Sequence, residues 1–334
     1  VYFNPAGMTK LDGVNLNAGI DVIIPNGDIT DNGTTAPATR PVGGSTSNPY
    51  SPTPVPHLYA VAPLQDLTGM PIWAGIGVSA PFGLGSDYSD GYFGRFDSTE
   101  TELKTINIAP SIAFKATDWL SIGGGIDIQY ADADLKSAIF VGAGNEGVSQ
   151  LKGDDWTIGY NIGLQAKPEF TPNTEFGLHY RSAISHTLEG EVNVSGTGTA
   201  ADSSRSGTAD LDLPDILTFG VAHDITPQTR IMGQITHFGW NSFQDIDANT
   251  TVGTDPAPTV QDYENTFAFA IGAEHELNDI WTVRVGYQYD ETPTNDTFRT
   301  TRTPDGDRNW FSGGATYKFS DNLDLDFAAT YIDI

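Results

Sequence analysis

Three arginines stand where a charged group could do more than keep a surface wet. Arg181, Arg284 and Arg308 each fall on or beside the polar side of an alternating segment. A buried guanidinium can grip a carboxylate with two parallel hydrogen bonds, so each is a candidate anion holder. The competing reading is an internal ion pair, since the chain carries 43 acidic residues against 16 basic ones. A second group is apolar. Phe82, Leu84, Tyr88, Tyr92, Phe93 and Phe96 crowd one connecting stretch, where exposed grease is normally avoided. They either capture a greasy ligand or pack the loop against its neighbours.

Other chemistries find little support. Asp305, Asp307 and Asn309 in "DGDRN" have the spacing of a calcium loop but lack its glycine and distal glutamate, and read as a tight polar turn. The six histidines are scattered, cysteine is absent, and no metal or cofactor is expected. His179 and Ser182 are separated by an odd number, which puts them on opposite faces of a strand, so they make no dyad and no enzyme is expected. No phosphate-binding Gly-x-x-x-x-Gly-Lys motif occurs. A net charge of −27 repels phosphate backbones and argues against nucleic acid.

The elements that must carry these residues are strands. Val14, Leu16, Ala18, Ile20, Val22 and Ile24 alternate with Asn15, Asn17, Gly19 and Asp21, and the same period of two recurs along the chain. Thirteen strands are expected: Val14–Pro25, His57–Gln65, Pro71–Pro81, Glu100–Ala116, Trp119–Ala133, Asp155–Pro168, Thr174–Leu188, Leu213–Ile225, Thr229–Phe243, Tyr263–Leu277, Ile280–Asp290, Arg308–Ser320 and Leu323–Ile334. Short turns and long polar stretches take turns between them, as in an outer-membrane barrel with tight periplasmic turns and long outer loops. Aromatics such as Trp119, Trp156, Trp281 and Tyr331 sit at strand ends, where the two bilayer surfaces would lie. The polar faces hold Gly, Asn, Gln, Asp and Arg, which suits a lumen better than a soluble surface. A soluble β-sandwich is the alternative.

The expected fold is therefore all-β, a transmembrane antiparallel barrel. Such barrels use even strand numbers, and no sheet edge can face lipid. Fourteen strands are thus expected, with the last one and some initial residues lying outside this sequence. Pro81, with Gly77 and Gly83 beside it, marks the segment most able to bend out of the wall, because proline withholds a ladder hydrogen bond.

Several stretches resemble the FadL family of outer-membrane transporters for long-chain fatty acids and other hydrophobic compounds, toluene-uptake relatives included. "FNPAGMTKL" resembles the end of that family's N-terminal hatch. "VSAPFGLGSDYSDGYFGRF" is similar to the stretch after its third strand. "ELKTINIAPSIAFKATDWLSIGGGIDIQY", "LHYRSAISHTLEGE" and "TPDGDRNWFSGGATYKFSD" resemble its fourth and fifth, seventh, and twelfth strands. The resemblance implies a monomeric barrel with residues 1–13 as the end of a hatch, including Asn4, Pro5, Ala6 and Gly7, and residues 14–334 as the wall. It further implies a passive route for fatty acids. Ligand is captured among outer loops at Phe82, Leu84, Tyr92, Phe93 and Phe96, held in a lumenal pocket by Arg181 and Arg308, and released sideways at a kink around Gly77, Pro81 and Gly83. Uptake of aromatic or alkane hydrocarbons, and a general hydrophilic porin, are the alternatives. The expected setting is the outer membrane of a Gram-negative bacterium, with its lipid and lipopolysaccharide as surroundings.

Overall fold

The computed structural model describes residues 1–31, 33, 43–44, 46, 48–142, 145–251 and 258–334. An antiparallel wall runs through it in chain order. It comprises β1 (Asn15–Ile23), β2 (Thr53–Pro63), β3 (Ile72–Ser79) with its detached continuation β4 (Gly83–Asp87), β5 (Glu100–Lys115), β6 (Leu120–Gly142), β7 (Asn145–Ala166) and β8 (Thr174–Arg181). After the hairpin β9 (Ile184–Ser195) and β10 (Ser203–Leu213), it continues as β11 (Ile216–Thr226) and β12 (Thr229–Phe238). Three short pieces follow, β13 (Asp245–Ile246), β14 (Ala248–Thr250) and β15 (Thr259–Val260). The last four staves are β16 (Thr266–Glu276), β17 (Trp281–Asp290), β18 (Arg308–Ser320) and β19 (Leu323–Asp333). Each stave pairs antiparallel with the next, and β8 pairs directly with β11. Among the described residues, β1 pairs only with β2 and β19 only with β18.

The thirteen expected strands are all present as wall strands, but their bounds differ. β6 and β7 continue as one ladder far past the expected loop over 134–154, pairing Asp134 with Lys152 and Phe140 with Glu146. The expected loop over 189–212 is the hairpin of β9 and β10, paired from Ser203↔Val194 to Leu213↔Ile184. The expected strand Thr174–Leu188 breaks at Ser182–Ala183, where β8 stays in the wall and β9 turns onto the upper half of β7.

The polarity of the wall is inverted relative to a soluble protein. Ile126, Ile162 and Val285 are 53, 50 and 66% exposed, whereas Asp127 is fully buried and Asn161 3% exposed. Apolar side chains therefore face outward and polar ones inward, as a lipid-embedded barrel requires. Tyr130 packs on Trp156 across β6 and β7 with ring centroids 5.1 Å apart, and Trp281 on Tyr317 at 4.8 Å, giving the outer face aromatic ends.

The N-terminal residues fill one side of the lumen. Pro5–Lys10 forms a 3-10 helix, η1, which Asn4 caps by accepting from the Ala6 amide at 3.0 Å. The Asn4 amide also donates to the Leu164 carbonyl at 3.0 Å and the Leu178 carbonyl at 3.3 Å, tying the helix to β7 and β8. Met8 is buried against Val61 and Ala113, Thr9 bonds Ser121 at 2.7 Å, and Lys10 pairs with Glu175. Wall glycines make the room. A Cβ on Gly123 would come 2.5 Å from the Ala6 nitrogen, and one on Gly163 2.0 Å from Asn4 Oδ1.

Candidate functional site

Above the helix η1, the inward face changes character. Leu188, Leu211 and Leu213 of β9 and β10 turn inward onto Ala131 and Ala133 of β6 and form a buried apolar cluster. Phe82, Leu103 and Phe243 pack against it. Beside this cluster lies a cavity of ≈ 470 Å³, to which Trp240 and Tyr263 also contribute. Its aromatic part is continuous: Phe82 meets Trp240 edge-on at 5.9 Å, Trp240 meets Tyr263 at 5.8 Å, and Tyr263 meets Phe243 at 5.1 Å.

Three cations line the same cavity, Lys152, Arg302 and Arg308, with Asp210, Asp212 and Asp305. The two arginines differ in how they are held. Arg302 is almost fully buried and its guanidinium is spent on backbone, donating to the Asp97 carbonyl at 2.6 Å and the Lys136 carbonyl at 3.2 Å. Asp97 returns the tie by accepting from the Thr301 amide at 2.7 Å. Arg302 thus clamps the β17–β18 connection onto the outer end of β5, and burial pulls its pKa down. Arg308 is looser. Its nearest carboxylate oxygens, on Asp290 and Asp305, are 3.4 and 3.6 Å away, and its buried Nε makes no hydrogen bond among the described residues. A loosely paired guanidinium at an apolar cavity can take up a ligand oxyanion without first breaking a tight ion pair.

Of the residues singled out in the sequence, Pro81, Phe82, Gly83, Leu84 and Arg308 all line this cavity. Arg181 does not. It pairs with Asp127 at a level between η1 and the cavity, donates to the Tyr2 carbonyl at 2.9 Å, and lies 4.3 Å from the centre of the Tyr2 ring. Asp127 also accepts from Asn107 at 2.8 Å and Asn161 at 3.0 Å. Arg284 donates to Glu274 at 2.6 Å lower in the barrel.

The other outer-loop aromatics, Tyr88, Tyr92, Phe93 and Phe96, lie outside the cavity. Tyr92 is fully buried, stacked on Tyr88 at 4.5 Å, and its hydroxyl bonds Thr301 at 2.9 Å. Burial pushes the Tyr92 phenol up to about 12. Phe93 packs on Tyr92 at 5.6 Å, and Phe96 lies under Arg95 at 4.7 Å. Leu188, Leu211, Trp240 and Arg302 are lining residues that sequence reading did not find.

The wall is interrupted next to the cavity. The β2–β3 ladder stops at Leu58↔Val78, while the β1–β2 ladder continues to Ile23↔Thr53. Residues Thr53–His57 therefore have no ladder partner on the β3 side among the described residues. Across from them the chain leaves β3 at Ser79 and resumes in β4 at Gly83 with its register on β5 shifted by one residue. Farther out, the Asp87 amide donates to the Pro49 carbonyl at 2.8 Å and closes the top. The interruption is thus a window, and Pro81–Leu84 forms both its far edge and part of the cavity lining.

Comparison with known proteins places this architecture. A family model described as "Outer membrane protein transport protein (OMPP1/FadL/TodX)" matches residues 1–334. A long-chain fatty acid transport protein of Escherichia coli O6:H1 is 27% identical, with 98% of this chain and 79% of that protein covered. Outer membrane protein P1 of Haemophilus influenzae is 28% identical, over 92% of this chain and 73% of the relative. The crystal structure of a Pseudomonas aeruginosa FadL homologue superposes with a TM-score of 0.81 at 25% identity, covering 98% of this chain and 83% of the other. The toluene transporter TodX of P. putida shares the fold, with a TM-score of 0.66 at 17% identity over 98% and 85% of the two chains.

Proposed function

The chain belongs to the outer membrane protein transport protein family (OMPP1/FadL/TodX), a family of Gram-negative outer-membrane barrels, and from that premise we propose that it carries long-chain fatty acids passively inward. Outer loops deliver the ligand, the cavity holds it, and the window beside Pro81 lets it leave sideways into the bilayer. The observation that supports this best is the single cavity that joins an apolar lining, the loosely paired Arg308 and the edge of the wall interruption. An apolar chain gains about 0.8 kcal/mol for each CH₂ it buries there, which a water-filled pore would not offer. The carboxylate would sit at Arg308. Arg181 would serve the barrel and its plug, since its guanidinium already has Asp127 and the Tyr2 carbonyl.

A second reading, uptake of aromatic hydrocarbons, is favoured by the four rings of Phe82, Trp240, Phe243 and Tyr263 around one space. One binding series separates the two. With protein in detergent, Arg308→Ala is expected to weaken oleate by about tenfold, the worth of one charge-assisted hydrogen bond, and to leave a hydrocarbon of similar length unchanged. Equal affinity for oleate and the hydrocarbon, indifferent to Arg308→Ala, selects the second reading. A large steady conductance of the intact protein in planar bilayers would instead indicate a general porin.

A further inference from the structure

The window in the wall poses an energetic question. Two strand edges facing each other across a gap in hydrocarbon should zip together, because each unpaired backbone group in lipid costs several kcal/mol. Yet the β2–β3 ladder stops at Leu58↔Val78 with five residues of β2 still to come.

The near edge carries Pro54 and Pro56. Their orientation follows from the neighbouring ladder. In an antiparallel strand, alternate residues exchange hydrogen bonds with the left and right neighbours. The β1–β2 ladder runs unbroken past Ile20↔Pro56 and Val22↔Pro54. Residues with no N–H cannot be the ones exchanging bonds with β1, so Val55 and His57 serve that side. Pro54 and Pro56 accordingly direct their ring nitrogens into the window, where a donor would otherwise wait for β3.

The far edge is disarmed by other means. Continuing the β2–β3 register past Leu58↔Val78 would set Pro56 against Ala80 and Pro54 against Phe82. Phe82 is already engaged on the opposite side. Its amide donates to Thr105 Oγ1 at 2.9 Å, and its carbonyl accepts from the same hydroxyl at 2.7 Å and from the Thr105 amide at 3.1 Å. Thr105 is buried on β5, and its one hydroxyl satisfies both backbone groups of the residue that would close the gap.

We infer that Pro54, Pro56 and Thr105 are positioning residues that hold the wall window open: the prolines strip the donors from one edge and the threonine draws Phe82 away from it. Their importance for uptake rests on the lateral-exit reading above; their effect on the window does not. The chain has no cysteine, so thiols introduced at Val55 and Gly85 would be the only ones. Among the described residues, a side chain at Gly85 meets nothing within 4 Å.

In the Val55→Cys/Gly85→Cys protein, spin labels report the span of the window in bilayers. Adding Pro54→Val, Pro56→Val and Thr105→Val together is expected to shorten that distance by about 5 Å, roughly one strand spacing. Re-forming about two ladder hydrogen bonds shifts the closed-to-open ratio by about tenfold. Uptake of labelled oleate into vesicles should fall correspondingly. Thr105→Ser, which keeps the hydroxyl, should behave as the parent, and heat-modifiable gel mobility checks that each variant has formed its barrel. An unchanged label distance in the folded triple variant overturns the inference. A shortened distance with uptake unaltered upholds it and overturns lateral exit.

Discussion

Arg181 and Asp127 show how a residue can be read correctly as to place and still leave its role open. The alternating pattern puts both on the inward face, and the structure joins them below Tyr2 with Asn107 and Asn161 as further donors to the carboxylate. Removing one partner of so buried a pair strands the other. Arg181→Ala is expected to destabilise the folded barrel by about 3–5 kcal/mol, while Arg181→Met with Asp127→Leu costs much less. Urea unfolding in detergent, run as a double-mutant cycle, measures the difference. Asp307 gives a prediction in pH. The Thr292 amide, at 2.9 Å, and the Tyr289 hydroxyl, at 2.7 Å, hold its carboxyl below the usual carboxylate range. A depressed folded pKa stabilises the loop above the unfolded value and loses that contribution as pH falls through the folded one. The Thr292 amide should therefore exchange faster with solvent as pH drops below about 4, relative to the intrinsic rate at each pH, and Asp307→Asn should blunt that acid dependence. Arg308 was visible as a lone cation in "DGDRNW". Arg302, six residues earlier, was not, because what buries it is the Asp97 carbonyl, some two hundred residues away in sequence.

At the scale of elements, legibility followed the solvent on each face. Trp156–Ala166 alternates cleanly because lipid lies on one side and polar lumen on the other. Higher on the same strand, the sequence Glu146–Asp154 meets water or protein on both faces, so the period of two fades although the ladder persists. In β9 and β10 the sense even reverses, with Leu188, Leu211 and Leu213 turned inward to line the cavity. A pattern search tuned to an apolar exterior passes over them. The proline-broken stretch that forms η1 was legible, but the wall glycines that receive it were not, since only contact distances distinguish Gly163 from any other strand glycine. Gly163→Leu tests that fit. Its first side-chain carbon would fall on Asn4 Oδ1, so η1 should leave the lumen, Lys10 should become accessible to amine-reactive reagents, and single-channel conductance in planar bilayers should rise well above that of the parent.

For the whole molecule, the deciding physical fact is which solvent each face meets, and it predicts opposite responses to the same substitution. Ile162 lies about midway between Trp156 and Lys167 and is half exposed on the outward face. Ser312 lies on the inward face, bonded to Thr330 at 3.0 Å, in an open bay of ≈ 760 Å³ lined by glycine and alanine together with Gln165, Glu175, Arg284 and Asp326. In water, an exposed isoleucine tolerates arginine and a lined interior does not. In a bilayer the order inverts: Ile162→Arg puts a guanidinium near the hydrocarbon midplane at a cost of about 2–4 kcal/mol, while Ser312→Arg keeps its charge in the lumen at little cost. Folding titrations from urea into lipid vesicles read both. Repeating them in short-chain detergent micelles should shrink the Ile162→Arg penalty, because a thin, deformable micelle lets water reach the charge, and leave the Ser312→Arg value where it was.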